Sequence, residues 1–294
     1  MERHHKQINT KSDDPVFINP TSDWGFHRIF ASPANSHLLR YLLNTLIDDK
    51  NILTVTLRDP NHTYLTINEG KSEFDIYCTC DDGSNIIVEM QKNNEGNFQD
   101  RAFAYTAMAV MDQAQTHWDY RIDKIYFIGI TNFSLFKDSD KYFTRIMLSD
   151  IDENCKPIYD KYLQIFIELP KFVAEDSELI DERDALIYIL KNLRAMDRLP
   201  EWIQKHKDIK MICDSARFGS LSETEKEDYI MTEEKERNWI RCVKYSREEG
   251  REEGRKEGRK EERVQVALNL KNLDTPLEII SKATGLSIEE IKKL

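Results

Sequence analysis

The run EFDIYCTCDDGSNIIVEMQ at residues 73–91 constrains the fold of this chain more than any other stretch. Two apolar arms, 73–80 and 85–91, flank the residues DDGS. An Asp-Gly step between arms of this kind is a strong hairpin signal. Inside the arms stand Asp75, Glu89 and, two residues on, Gln91. A carboxylate buried in a strand is expensive unless something compensates its charge. Side chains alternate along a strand, so Glu89 and Gln91 share one face while Val88 and Met90 take the other. Asp75 lies across the turn and joins Glu89 if the hairpin register allows. Two carboxylates and an amide at one spot suit a hard divalent cation such as Mg²⁺, which takes one or two carboxylates together with waters and phosphate oxygens. Such an ion lowers the pKa of bound water and shields a phosphodiester, as hydrolysis of that bond requires. The pattern is short, however, and two solvent-facing acids on a half-exposed hairpin fit the same residues.

Composition narrows the field. The chain has 294 residues, 40% of them hydrophobic, enough for one core and a second, smaller unit. A net charge of -11 excludes a broadly basic nucleic-acid-binding surface, so any phosphate contact must be local or screened by metal. The five cysteines are an odd number without a C-x-x-C pair. That argues against a disulfide framework or structural zinc and for a reducing compartment. The opening MERHHKQINTKSDDP lacks an apolar h-region, and no apolar run approaches the roughly 18 residues of a membrane span. A soluble, cytoplasmic protein without membrane contact is expected.

Along the chain, residues 1–16 form a polar, flexible tail. Thr21 or Ser22 caps a short helix with Phe26, Ile29 and Phe30 on one face. Leu38, Leu39, Leu42, Leu43 and Leu46 recur at helical spacing over 35–47. Segment 52–69 alternates as strands, with Leu53, Val55 and Leu57 and then Tyr64, Leu65 and Ile67. A buried helix over 98–114 follows the hairpin, then an apolar strand at 124–133 and two further, paired strands at 142–150 and 162–172. The order predicts an α/β mixed-sheet core flanked by helices over 17–175, a helical region over 176–245, a Glu/Gly/Arg repeat linker over 246–263 and a small helical module over 264–294. In that module Thr275 with Glu278 and Ser287 with Glu290 predict two capping boxes, separated by a turn at Gly285.

With these motifs in place, the hairpin resembles the active-site hairpin of PD-(D/E)XK nucleases in the variant with Gln for the final Lys. The whole chain over about 20–294 is similar to the recombination-promoting nuclease family, the PD-(D/E)XK family of transposases. SDWGFHRIF with LLRYLLNTLI, EFDIYCTCDDGSNIIVEMQ, FQDRAFAYTAMA, ELPKF, and the EEG/KEG repeat with GLSIEEI carry the likeness in order. It implies a restriction-endonuclease-like core with a helical C-terminal extension, DNA as substrate, and Mg²⁺ as cofactor with Mn²⁺ as substitute. Asp75 and Glu89 would be metal ligands, and Gln91 would stand in for the lysine. An amide orients water by hydrogen bonds but carries no charge.

Supporting roles fall to Asp23, Arg101 and Tyr105. Asp23 matches a further acid of the first helix, and equally an N-cap or first-turn acid. Arg101 and Tyr105 share a helical face, where Arg101 meets phosphate near the scissile bond or lies along a buried helix with Tyr105 in the core. His27 departs from the family's usual lysine, and an imidazole of ordinary pKa carries less charge at neutral pH.

The expected activity is metal-dependent endonucleolytic cleavage of DNA that promotes recombination or serves mobile elements. The second expectation, favoured by the missing lysine, by His27 and by the acidic pI, is a decayed nuclease fold that binds DNA or protein. In the repeat, Glu248, Glu252 and Glu257 find basic partners three or four residues on, while Gly250, Gly254 and Gly258 each cost roughly 1 kcal/mol against Ala. A marginal, solvated, helix-prone linker is the result. The terminal helices are expected to serve docking or homo-oligomer formation.

Overall fold

In the computed structural model, which describes residues 14–58, 74–116, 121–174 and 181–294, the Asp-Gly turn sets the sheet. Gly83 has φ +84°, a region a side chain would strain. Its N–H donates to Cys80 O at 3.0 Å, and Cys80 N–H donates to Ser84 O at 2.9 Å. From this turn β2 (Ile76–Cys80) and β3 (Asn85–Gln91) run antiparallel, with Ile76 opposite Val88 and Thr79 opposite Asn85. The short β1 (Val55–Leu57) pairs antiparallel on the outer edge of β2. On the other side β3 is parallel to β4 (Ile125–Thr131), and β4 is parallel to β6 (Lys156–Glu168). The edge is β5 (Phe143–Asp150), antiparallel to β6, giving the order β1-β2-β3-β4-β6-β5. The expected mixed sheet and the pairing of the last two strands are thus present. The expected strand at Tyr64, Leu65 and Ile67 and most of the expected N-terminal tail lie outside the described residues. Val16 already pairs, its carbonyl accepting from Phe218 N–H at 3.0 Å.

Helices cover both faces. On one face Ile76, Cys78, Ile86, Val88 and Met90 join the larger apolar cluster with α2 (Ser36–Leu46), α4 (Glu182–Asn192) and α5 (Lys207–Ser215). All five leucines of the α2 stripe are buried. At about 1.5–3 kcal/mol per buried leucine, that stripe outweighs any propensity term in holding α2 to the sheet. The short α1 (Asp23–Phe26) runs directly into a π-helical turn, His27–Ala31, which buries Ile29 and Phe30. On the opposite face Tyr77, Ile87 and Phe127 meet α3 (Phe98–Thr116) through Phe98, Ala102 and Ala109. Among the described residues no helix is long and apolar enough to cross a membrane.

The chain forms two compact units, Met1–Tyr229 and Ile230–Leu294. Helix α6 spans Glu223–Asn272 and runs without a break through 246–263, where the sequence predicts a marginal linker. In the second unit Ala267 of α6 packs with Ile280 of α7 (Leu277–Thr284) and Ile291 of α8 (Ile288–Lys293). The Ser287–Glu290 capping box is formed, and Gly285 ends α7 at φ +74°. The box expected at Thr275 is not: Pro276 occupies the N-cap and no side chain caps α7. Thr275 N–H instead donates to Leu270 O at 3.2 Å, so this residue completes the end of α6 and does not begin α7.

One glycine sets how closely α3 approaches the sheet. Gly129 of β4 lies beside Glu89 of β3, and a Cβ there would sit 3.0 Å from both Phe98 and Phe166. Packing at this density leaves little room to yield. Gly129→Ala should lower stability by about 1–3 kcal/mol in denaturant unfolding, with the near-UV signal of the aromatic cluster altered.

Candidate active site

The hairpin register decides where the acids go. Ile76 opposite Val88 places Asp75, just before β2, across from Glu89. Each then reaches into the other's strand. Asp75 N–H donates to Glu89 Oε1 at 3.1 Å, and Met90 N–H donates to Asp75 Oδ2 at 2.7 Å. These two bonds close the hairpin beyond its last ladder pair. Glu89 is 5% exposed and Asp75 is partly buried. Val88 and Met90 point into the larger core as alternation requires, so Glu89 lies on the face covered by α3.

Helix α3 brings in the third component. Phe98, seated against the sheet, anchors its first turn, and the Arg101 guanidinium lies over the Phe98 ring at 5.3 Å. Arg101 Nη2 donates to Gln91 Oε1, and Nη1 pairs with Glu95 at 3.3 Å. Gln91 Nε2 donates to Asn93 O at 2.9 Å. The Arg101 Nε is buried without a hydrogen-bond partner among the described residues. One turn on, Tyr105 stacks edge-on against Phe74 at 4.9 Å and carries the guanidinium at 6.0 Å.

Burial, above all, pushes the Asp75 carboxyl up to about 7; the Asp23 charge adds to the rise, while Met90 N–H and the Arg101 cation oppose it. Glu89 is raised well above the usual carboxylate range, again chiefly by burial and then by the neighbouring Asp75 charge. The pair therefore resists carrying two negative charges unless a cation or a proton joins it. Its donors are oxygens alone, and Arg101, already paired with Glu95, supplies only part of the compensation. Among the described residues no group of three or more His, Cys, Asp or Glu side chains converges to cage a metal. Two carboxylates that leave the remaining positions to water and phosphate oxygens fit Mg²⁺ or Mn²⁺.

Asp75, Glu89, Gln91 and Arg101 thus meet in one place, with Tyr105 one turn away. Asp23 is exposed in the first turn of α1, whose N-cap Ser22 accepts from Gly25 N–H at 3.2 Å. Its charge acts on both acids, yet it does not join them in a metal-holding group. His27 is exposed in the adjoining π-helical turn. Sequence reasoning missed Phe74, Phe98 and Glu95, which position Arg101. Phe74 directly precedes Asp75, but nothing in its spacing marks it as the seat of Tyr105.

Raised folded-state pKa values fix the sign of a pH effect. Between the unfolded value near 4 and the folded value of about 7, the folded metal-free chain keeps protons that the unfolded chain has released. The contribution of Asp75 to stability is therefore full below about pH 4 and is lost as pH rises through 7, and Glu89, raised in the same direction by burial, adds to the slope. Asp75→Asn should flatten that slope and stabilise the metal-free protein at pH 8, measured by thermal unfolding in EDTA.

The family model for PD-(D/E)XK nuclease family transposases matches residues 20–246. No curated protein and no solved structure matches the chain.

Proposed function

The chain belongs to the PD-(D/E)XK nuclease family transposases, and we infer that it is a divalent-metal-dependent DNA endonuclease whose breaks promote recombination or serve mobile elements. The observation that supports this best is the opposed pair Asp75–Glu89, one carboxylate partly and one almost fully buried, facing each other with raised pKa values. A Mg²⁺ ion, or Mn²⁺ in its place, held by that pair would acidify a bound water and shield the phosphodiester. The remaining work belongs to side chains.

Gln91 is fixed at both ends of its amide, by Arg101 and by Asn93 O. Its carbonyl keeps a second lone pair and its NH₂ a second hydrogen, enough to orient an attacking water. Arg101 supplies next to that amide the permanent positive charge that a lysine at position 91 would have carried. Its guanidinium, on a side chain 24% exposed, is the charged donor for a non-bridging phosphate oxygen.

A binding module of decayed nuclease fold is the alternative, and a specific observation favours it: Gln91 stands where the family's usual lysine would, and the helix position of the family's other lysine is the exposed His27.

Nicking of supercoiled plasmid in Mg²⁺, Mn²⁺ or EDTA separates the two. The nuclease reading expects metal-dependent cutting that falls at least about a hundredfold in Asp75→Ala and Glu89→Ala. Arg101→Ala should lose a comparable factor, while Arg101→Lys retains part of the activity. DNA binding without cutting, unchanged by Asp75→Ala, would establish the alternative.

A further inference from the structure

The segment ELPKF at residues 168–172 has no part in the proposed nuclease chemistry, yet it holds a charged pair inside the fold. Glu168, the last residue of β6, is fully buried, and the Lys171 side chain is only 10% exposed. The two form an ion pair. Apolar residues of similar volume often serve a fold as well as a buried ion pair does, so packing alone does not account for these charges.

What the pair holds is one residue of the loop 132–141, which has no regular secondary structure. Glu168 Oε1 accepts from Phe136 N–H at 3.0 Å, and Lys171 Nζ donates to Phe136 O at 2.6 Å. Both main-chain polar groups of Phe136 are thereby fixed, and its ring packs edge-on against Phe166 at 5.5 Å.

The same loop reaches the candidate site. Gln91, Thr131 and Glu168 lie side by side at the carboxyl ends of the parallel strands β3, β4 and β6, about 10 Å from the first to the last. In open α/β sheets this is the end at which ligands bind. Asn132 N–H donates to Gln91 O at 3.0 Å, and Thr131 Oγ1 donates to Phe133 O at 2.8 Å. The Phe133 ring meets Phe98 edge-on at 6.3 Å, and Phe98 in turn carries the Arg101 guanidinium. The loop therefore touches both Gln91 and Phe98, two of the residues that hold Arg101.

We propose that Glu168 and Lys171 are positioning residues of the site, clamping the loop through Phe136 so that Arg101 and the Gln91 amide keep their mutual position. A charged pair suits this work because it engages a donor and an acceptor of the loop backbone at once, which apolar side chains cannot do. Without the clamp the loop keeps its apolar contacts, which are non-directional, and the Arg101–Gln91 contact loosens. The catalytic consequence rests on the nuclease reading; the positional claim does not.

Hydrogen exchange at arginine side chains and backbone amides of the full chain, read by nuclear magnetic resonance, tests the positional claim without DNA. The buried Arg101 Nε–H is the signal that Arg101→Lys removes. Lys171→Met should speed its exchange about tenfold or more, while the amides of the α2 leucines exchange as before. Lys171→Arg keeps the charge and the donors and should retain the wild-type rate. Glu168→Gln combined with Lys171→Met leaves no unpaired buried charge, so it should fold even where Lys171→Met does not, and it should speed Arg101 exchange in the same way. In plasmid nicking, Lys171→Met should lower kcat about tenfold with KM unchanged, and adding it to Arg101→Ala should cost nothing more. Arg101 exchange at the wild-type rate in both methionine variants would overturn the proposal. So would equal acceleration of the α2 amides, the mark of a merely structural role, or a fully additive loss when Lys171→Met joins Arg101→Ala. A wild type that cuts no DNA would count against the nuclease reading, and the exchange rates alone would then decide this one.

Discussion

Two carboxylates of like sign, each taking a backbone N–H from the other's strand, hold the end of the β2–β3 hairpin in place. The fold supplies the desolvation and proximity that raise both pKa values, and it supplies the two N–H donors that partly offset them. Neither acid can be read as a surface charge left over from solubility, because Glu89 is almost fully buried beneath α3. An apolar pair of the same size would serve the hairpin better. Two desolvated carboxylates with raised pKa values, at the point where an amide and a guanidinium also converge, are the pattern expected of a functional site.

The rest of the first unit serves that pair through β4 and α3. Gly129 removes one side chain from the α3 face of β4 and lets Phe98 settle among Phe127 and Phe166. That docking fixes the first turn of α3, and the first turn carries Arg101 to Gln91. The charge absent from position 91 is therefore restored from a neighbouring element. On the other face of the sheet, Val88 and Met90 share one apolar cluster with the leucine stripe of α2, which keeps β3 from rotating its acids out.

Much of this was legible in the sequence where local chemistry decides. Asp82-Gly83 marked the turn and alternation decided which of Val88, Glu89, Met90 and Gln91 share a face, while the register that puts Asp75 opposite Glu89 comes from the ladder itself. The α2 stripe was equally plain. What escaped depends on contacts distant in sequence. The link between Gln91 and Arg101 requires α3 to lie at one height on the sheet, set by Gly129 and three phenylalanines on different elements. Thr275 carries a capping pattern, but the end of α6 claims its N–H first. The unbroken helix through 246–263 was the hardest to foresee, since the three glycines cost about as much as the ion pairs three or four residues apart return.

The central claim is that Asp75 and Glu89 form a cation-binding pair. Calorimetric titration of Mn²⁺ into the full chain near pH 6.5, repeated in two buffers of different ionisation enthalpy, tests it most directly. The account predicts binding coupled to proton release, since acids whose pKa values burial raises must lose protons to take the ion, and loss of both signals in Glu89→Gln. Absence of binding in the wild type, or binding and proton release unchanged in Glu89→Gln, would contradict it.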